Sequence, residues 1–266
     1  FISGHEVVIA VGLIVLLMAM NLRGVRESGK AFAIPVYAFM FGIIGMGVWG
    51  FIKGLTGTLG QAPSAGLELV AEPGHDAVGL AAMFLLLRAF SSGCAALTGV
   101  EAISNGVPAF KKPKSANAAA TLLLMGVISV TMLASIIALS RMTGVQMADS
   151  SAVGEVLLRD GVPVGDTYVQ DNVIGQLAKT VFSDFPIGLY FVTAVTGIIL
   201  VLAANTAFNG FPVLGSILAK DGFLPRQLQS RGDRLAFSNG IAILAAAAIF
   251  LVIAYNADVT QLIQLY

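Results

Sequence analysis

Long apolar stretches, most of them long enough to cross a lipid bilayer, dominate this sequence. A bilayer core about 30 Å thick requires about 20 predominantly apolar residues in helical conformation. Five full stretches and two partial ones at the ends fit this requirement, namely 7–22, 31–52, 78–110, 118–140, 186–208, 237–255 and the residues from 259 onward. Because 57% of the residues are hydrophobic and only 11% are charged, we predict an all-α integral membrane protein.

The charged residues are distributed unevenly among the polar segments between these stretches. Segments 23–30, 111–117 and 209–236 hold three, three and four of the 15 Lys and Arg residues. The two remaining segments, 53–77 and 141–185, are mainly acidic. By the positive-inside rule we predict that the three basic segments are cytoplasmic loops of a multi-pass protein and that the acidic segments lie outside.

Composition also argues against several other classes of function. The formal net charge is zero, so we expect no nucleic-acid partner. Cys94, His5 and His75 are too few and too far apart in sequence for an ordinary zinc site. The sequence also lacks a recognisable Ser/His/Asp or Cys/His set, so we expect neither an enzyme nor a cofactor.

One glycine motif resembles a nucleotide-binding signature. The segment Gly45-Met-Gly-Val-Trp-Gly50 fits the pattern G-x-G-x-x-G, but that motif requires a preceding strand and a phosphate-facing turn. Since the segment lies inside an apolar stretch, we interpret it as a small-residue face for helix packing.

The stretch 78–110 is too long for one straight crossing and contains the most informative residues. Glu101 is the acidic residue that this assignment places deepest in the membrane, where an unpaired carboxylate costs several kcal/mol. Thr98 precedes it by three residues, with Gly99 between them. A helix break at Gly99 would free backbone carbonyls beside a hydroxyl and a carboxylate, which are oxygen ligands suited to an alkali cation. The alternative is a structural Glu101 that is hydrogen-bonded within a helix bundle.

Five further residues are candidates for the transport pathway. Arg88 either extends to the outer interface or forms part of an outer gate. Ser91 and Ser92 either line the pathway or allow close helix packing. Asn205 and Thr206, near the end of stretch 186–208, either line an inner route or bond to a neighbouring helix.

Several longer motifs resemble a known family. They are Asn21-Leu-Arg-Gly-Val-Arg-Glu-Ser-Gly29, Leu97-Thr-Gly-Val-Glu-Ala-Ile-Ser-Asn105, Ala204-Asn-Thr-Ala207, Ala219-Lys-Asp-Gly-Phe-Leu-Pro225 and Arg231-Gly-Asp-Arg-Leu-Ala-Phe-Ser-Asn-Gly240. The sequence thus resembles the amino acid–polyamine–organocation (APC) superfamily, and within it the bacterial KUP-type (KimA-like) potassium importers.

This resemblance implies a LeuT-like fold of two inverted five-helix repeats, with the first and sixth helices broken at the midplane. Residues 1–266 would then be a single transmembrane transporter domain, incomplete at both ends, from the fourth span to the start of the tenth. The stretch 78–110 would be the broken sixth helix. The family also implies potassium ligands on this helix at positions matching Thr98 and Glu101, whereas segment 141–185 matches no family pattern.

The function that follows is secondary active potassium transport by alternating access in a bacterial cytoplasmic membrane. Glu101 would neutralise the bound potassium ion when ionised and release it when protonated, which couples transport to protons. The alternatives are a proton- or sodium-coupled amino acid permease and a non-transporting membrane sensor. The expected partners are the lipid bilayer and potassium, while a homodimer and a cytoplasmic regulatory domain beyond Tyr266 are left open.

Overall fold

The computed structural model describes residues 4–23, 29–70, 79–95, 103, 107, 110–148, 156–165, 168–228, 237–259 and 261–262. Its main helices are α1 (Glu6–Leu22), α2 (Gly29–Leu55), α3 (Leu80–Ala95), α4 (Lys114–Thr143), α5 (Val173–Val181), α6 (Pro186–Lys220) and α7 (Ser238–Ala254), with a 3-10 helix at Arg226–Leu228. The strands are β1 (Glu68–Leu69), β2 (Leu157–Arg159) and β3 (Val162–Pro163).

Most of the predicted apolar stretches are helices in the structure. Helices α1, α2, α4 and α7 begin and end within about four residues of the predicted bounds. Among the described residues, α2 from Phe32 onward, α4 and α6 are long and apolar enough to cross a membrane, and α1, α3 and α7 contain shorter apolar helices. The prediction of a multi-pass helical membrane protein is therefore confirmed in its main features.

Helix α6 is longer than the sequence analysis predicts. It has 35 residues, or about 52 Å at 1.5 Å per residue, and it continues past Phe208 through Pro212 to Lys220. The prediction that residues 209–220 belong to a loop is therefore wrong. A proline inside a helix removes one backbone donor and distorts the axis, yet α6 is continuous through the buried Pro212.

The prediction of an all-α protein is also wrong in one detail. Strands β1, β2 and β3 form an antiparallel sheet in that order, in which Leu69 pairs with Leu157 and Arg159 pairs with Val162. Strand β1 comes from the acidic segment 53–77, whereas β2 and β3 form a hairpin within segment 141–185. The two acidic segments are thus joined by backbone hydrogen bonds, which requires them to lie on the same side of the membrane.

The chain divides into two compact units. The first consists of residues 1–42, 149–152 and 182–266. Its core lies where α1, α6 and α7 meet, and it contains buried Leu17, Phe208, Ile241 and Ala245. This cluster buries one stripe of each helix and leaves the other faces of these apolar helices uncovered, as in membrane helices that contact lipid or further helices.

The second unit consists of residues 43–148 and 153–181. Here α2 packs closely against α4, because a Cβ added at Gly47 would lie 3.0 Å from the Ser135 Cβ, and one at Gly50 would overlap the Leu139 side chain. A Cβ added at Gly45 would meet nothing within 4 Å. The interpretation of the glycine motif as a packing face is therefore confirmed for Gly47 and Gly50.

Candidate functional site

The predicted cation ligands Thr98, Gly99 and Glu101 lie outside the described residues. Helix α3 ends at Ala95, three positions before Thr98 in the sequence. The predicted helix break at Gly99 therefore stays a prediction, and so does the ligand set.

The other candidate residues of this stretch belong to α3. Ser91 is exposed in the last turns of the helix. Arg88 and Ser92 also belong to α3, but their side chains lie outside the described part of the structure. Most of the described side chains of α3 are uncovered, including Leu80 at 82% and Leu86 at 71% exposed. This uncovered apolar surface is suited to lipid or to neighbouring membrane helices.

Asn205 is placed by α6 in the interface with α1. It is only 8% exposed, and its side-chain Oδ1 accepts a hydrogen bond of 2.7 Å from Nδ2 of Asn21. The same Asn21 amide also donates to the backbone carbonyl of Leu17 at 2.8 Å. One turn beyond Asn205, Phe208 enters the apolar core of the first unit. The two amides therefore hydrogen-bond across two apolar helices, close to where α1 ends.

Thr206 has a different environment from its neighbour. Successive residues of a helix are about 100° apart, so Thr206 lies on an exposed face of α6. Its hydroxyl donates to the backbone carbonyl of Ala203 at 2.6 Å. The structure thus gives Asn205 a partner on another helix and Thr206 a partner within its own helix, and it does not bring the two side chains into one site.

The second unit contains a buried cation, Lys53, which the sequence analysis includes in the acidic segment 53–77. Lys53 is 6% exposed, and its Nζ donates to the backbone carbonyl of Val181 at 3.3 Å. Val181 is the last residue of α5, so the ammonium group lies at the negative end of a helix dipole. The Lys53 carbonyl in turn accepts the backbone N–H of Thr58 at 2.9 Å, which begins the turn after α2.

Buried polar groups fix the acidic segments to the helices. Ser64, which is fully buried, donates its hydroxyl hydrogen to Oε1 of Gln176. The Ser64 Oγ also accepts the backbone N–H of Gln146 at 2.9 Å, and the Ala62 N–H donates to the Thr143 carbonyl at 2.8 Å. Together with the sheet, these bonds form a folded cap on one side of the second unit. We use the term "cap" for residues 56–70, 144–148, 156–165 and 168–172.

The sequence analysis did not predict the contact between Asn21 and Asn205 or that between Lys53 and Val181, for different reasons. Asn21 and Asn205 are amides near span ends that the charge distribution places on the same side, so their similar depth was a usable signal for pairing. Lys53 and Val181 are 128 positions apart, and nothing in either local sequence indicates their contact.

No group of three or more His, Cys, Asp or Glu side chains that could hold a metal ion occurs within the described ranges.

Comparisons with known proteins cover nearly the whole chain. A family model described as amino acid permease matches residues 3–266. The chain is also similar to the potassium transporter KimA of Bacillus subtilis (strain 168), with 40% identity over 262 residues. This match covers 98% of the chain but 39% of the relative, so the chain spans about two fifths of the length of that protein.

Proposed function

The chain belongs to the amino acid permease (APC) family, and from this we propose that it forms part of a potassium importer in which uptake is coupled to protons. The observation that supports this most directly is its 40% identity with a potassium transporter over nearly all of its length. The uncovered apolar helices support operation within a membrane. We propose a bacterial cytoplasmic membrane, with the basic segments 23–30 and 111–117 and the residues after Lys220 on the cytoplasmic side.

The proposed ion site comprises the Thr98 hydroxyl, backbone carbonyls at Gly99 and the Glu101 carboxylate. Potassium is a hard cation, and oxygen atoms of these three kinds can replace part of its water shell. A negative charge at this point lowers the cost of transferring the ion into an apolar region. In a family whose substrates bind at broken helices near the midplane, this segment is the part of the chain best suited to the cation.

Glu101 would also couple the ion to the proton. The ionised carboxylate neutralises bound potassium, and protonation removes that attraction and favours release. Alternating access then exposes the site to one side at a time, as one group of helices moves relative to another. We propose that the outer part of this route is bordered by Ser91, Ser92 and Arg88. The inner part would be bordered by Asn205 and Thr206, and the hydrogen bond between Asn205 and Asn21 would represent one conformation of that inner part.

Amino acid transport is the second candidate, because the matching family model is described as amino acid permease. A zwitterionic substrate requires donors for its own carboxylate, which freed backbone N–H groups at helix N-termini supply in such folds. Glu101 would repel that carboxylate if both occupied one site. The residues therefore favour a cation over an amino acid.

The proposal is tested with the full-length protein that contains this chain, expressed in potassium-starved cells that lack other uptake systems. Potassium uptake is measured for wild type, Glu101→Gln and Thr98→Val at several external pH values. Glu68→Gln is the matched control, because Glu68 is an exposed glutamate of β1. Uptake of labelled amino acids by the same cells tests the second candidate.

We expect acid-stimulated potassium uptake by wild type and Glu68→Gln, loss of uptake in Glu101→Gln, and weaker apparent affinity in Thr98→Val. Wild-type uptake by Glu101→Gln would contradict the proposed role of the carboxylate. A well-expressed wild type that accumulates amino acids but no potassium would contradict the proposed substrate.

A further inference from the structure

An open pocket of about 560 Å³ lies at the end of α4 that adjoins the cap. One wall is the last helical turns of α4, where Ile137 and Arg141 are four residues apart and therefore lie on one face. The lining also includes Gln146, in the loop after α4, and Val173, the first residue of α5. The pocket thus combines a membrane-spanning helix with the polar cap beside it.

The walls of this pocket are fixed by interactions already formed in the protein. Gly144 ends α4 in a left-handed conformation with φ of 71°, and a Cβ there would lie 3.3 Å from the Ala65 Cβ. The adjacent Thr143 is fully buried, and the Gln146 N–H is held by Ser64. A ligand could therefore enter this pocket without first ordering the loop, which reduces the entropic cost of binding.

The chemistry of the lining changes sharply along α4. The Arg141 side chain is exposed at the pocket, and among the described residues no hydrogen bond or ion pair occupies its guanidinium group. One turn earlier, Ile137 is 51% exposed. Only 6% of the most apolar 18-residue stretch of α4 is buried within the protein. A cation thus lies above an uncovered apolar surface at the end of a span.

From this arrangement we infer that the pocket binds a phospholipid with an anionic headgroup. A guanidinium group forms paired, charge-assisted hydrogen bonds with phosphate oxygens, and the N-terminal end of α5 adds a favourable partial positive charge at Val173. An acyl chain would follow the apolar face of α4 past Ile137. A small soluble phosphate ester shares the headgroup contact but leaves that apolar face uncovered, so the complete lining fits the lipid.

Native mass spectrometry of the full-length protein with added phosphatidylglycerol tests this inference. The variants are Arg141→Gln, Arg141→Lys and Ile137→Ser, and the control is Arg159→Gln, which removes an exposed arginine of β2 on the cap. Glycerol 3-phosphate in place of the lipid measures binding of the phosphate ester alone. Every variant must elute as wild type on size exclusion before it is compared.

We expect Arg141→Gln to weaken phosphatidylglycerol binding about tenfold, as for the loss of one charge-assisted interaction. Arg141→Lys should lie in between, and Arg159→Gln should bind as wild type. Ile137→Ser should weaken binding of the lipid but leave that of glycerol 3-phosphate unchanged. Equal lipid binding by wild type and Arg141→Gln would overturn the inference. Glycerol 3-phosphate binding as tight as that of the lipid would also overturn it.

Discussion

Substitution of Gly240 by alanine should destabilise the packing of α7 on α6, because the methyl group has no space. A Cβ at this position would lie 2.9 Å from the Cβ of Pro212 and 3.0 Å from its Cα. Ordinary contacts of a Cβ begin at about 3.4 Å, so the helices must separate by about half an ångström. The obstacle is a proline ring and backbone, which cannot rotate away as a flexible side chain would.

The expected cost follows from this geometry. Overpacking of a well-packed interface costs about 1–3 kcal/mol. Replacing glycine by alanine in a helix returns up to about 1 kcal/mol of helix propensity, and less in the first turn, where Gly240 lies. The net destabilisation should therefore be roughly 1–2 kcal/mol, because separating α7 from α6 also loosens the core cluster that contains Ile241 and Phe208.

The measurement is the thermal stability of the full-length protein in detergent, taken as the fraction that stays monodisperse after heating. Gly210→Ala is the control, since Gly210 is exposed in α6 and a Cβ there meets nothing within 4 Å. We expect Gly240→Ala to melt a few degrees below wild type and Gly210→Ala to melt at or slightly above it. Equal or higher stability of Gly240→Ala relative to both proteins would refute the close approach of Pro212.

The buried polar contacts give two further predictions, read out by the same thermal assay. Lys53→Met removes a buried donor from the Val181 carbonyl and should destabilise the protein by about 1–3 kcal/mol. Lys179→Met breaks an exposed ion pair with a carboxylate and should cost at most about 1 kcal/mol. Equal effects of the two substitutions would contradict the burial of Lys53. Asn205→Leu should cost about 0.6 kcal/mol, up to roughly 1.7, as for other interhelical hydrogen bonds in membranes. Thr206→Val loses only a hydrogen bond within its own helix and should cost less. The reverse order would argue against the contact between Asn205 and α1.

The helices were predictable because the membrane imposes a strong and local rule. Every backbone polar group in lipid requires an internal partner, so an apolar stretch of sufficient length must be helical. The rule fails beyond the apolar core. Residues 209–220 contain Asn209, Gly210 and Pro212, which are typical of loops, yet they continue α6, and Pro212 lies close to Gly240 in α7. That contact lies in tertiary structure and cannot be read from the local sequence.

The polar contacts of the cap were harder to predict for the same reason. Ser64 and Gln176 are 112 positions apart, and their segments contain no periodic pattern that would pair them. Strands of two or three residues are too short for alternation to be detected.

The candidate ion site was a different case, because a carboxylate inside a span is costly wherever it occurs. Glu101 could therefore be proposed as an ion ligand from one residue and its predicted depth, without knowledge of its neighbours, and its role stays a prediction.

The small sheet also constrains how the chain crosses the membrane. Strand β1 precedes α3, and β2 follows α4, and the two strands are paired. The chain must therefore return to the same side between Leu69 and Leu157, so it crosses an even number of times. Since α4 is an apolar helix of 30 residues, long enough to cross once, the pairing of the strands is consistent with the prediction that the stretch 78–110 crosses the membrane in the opposite direction.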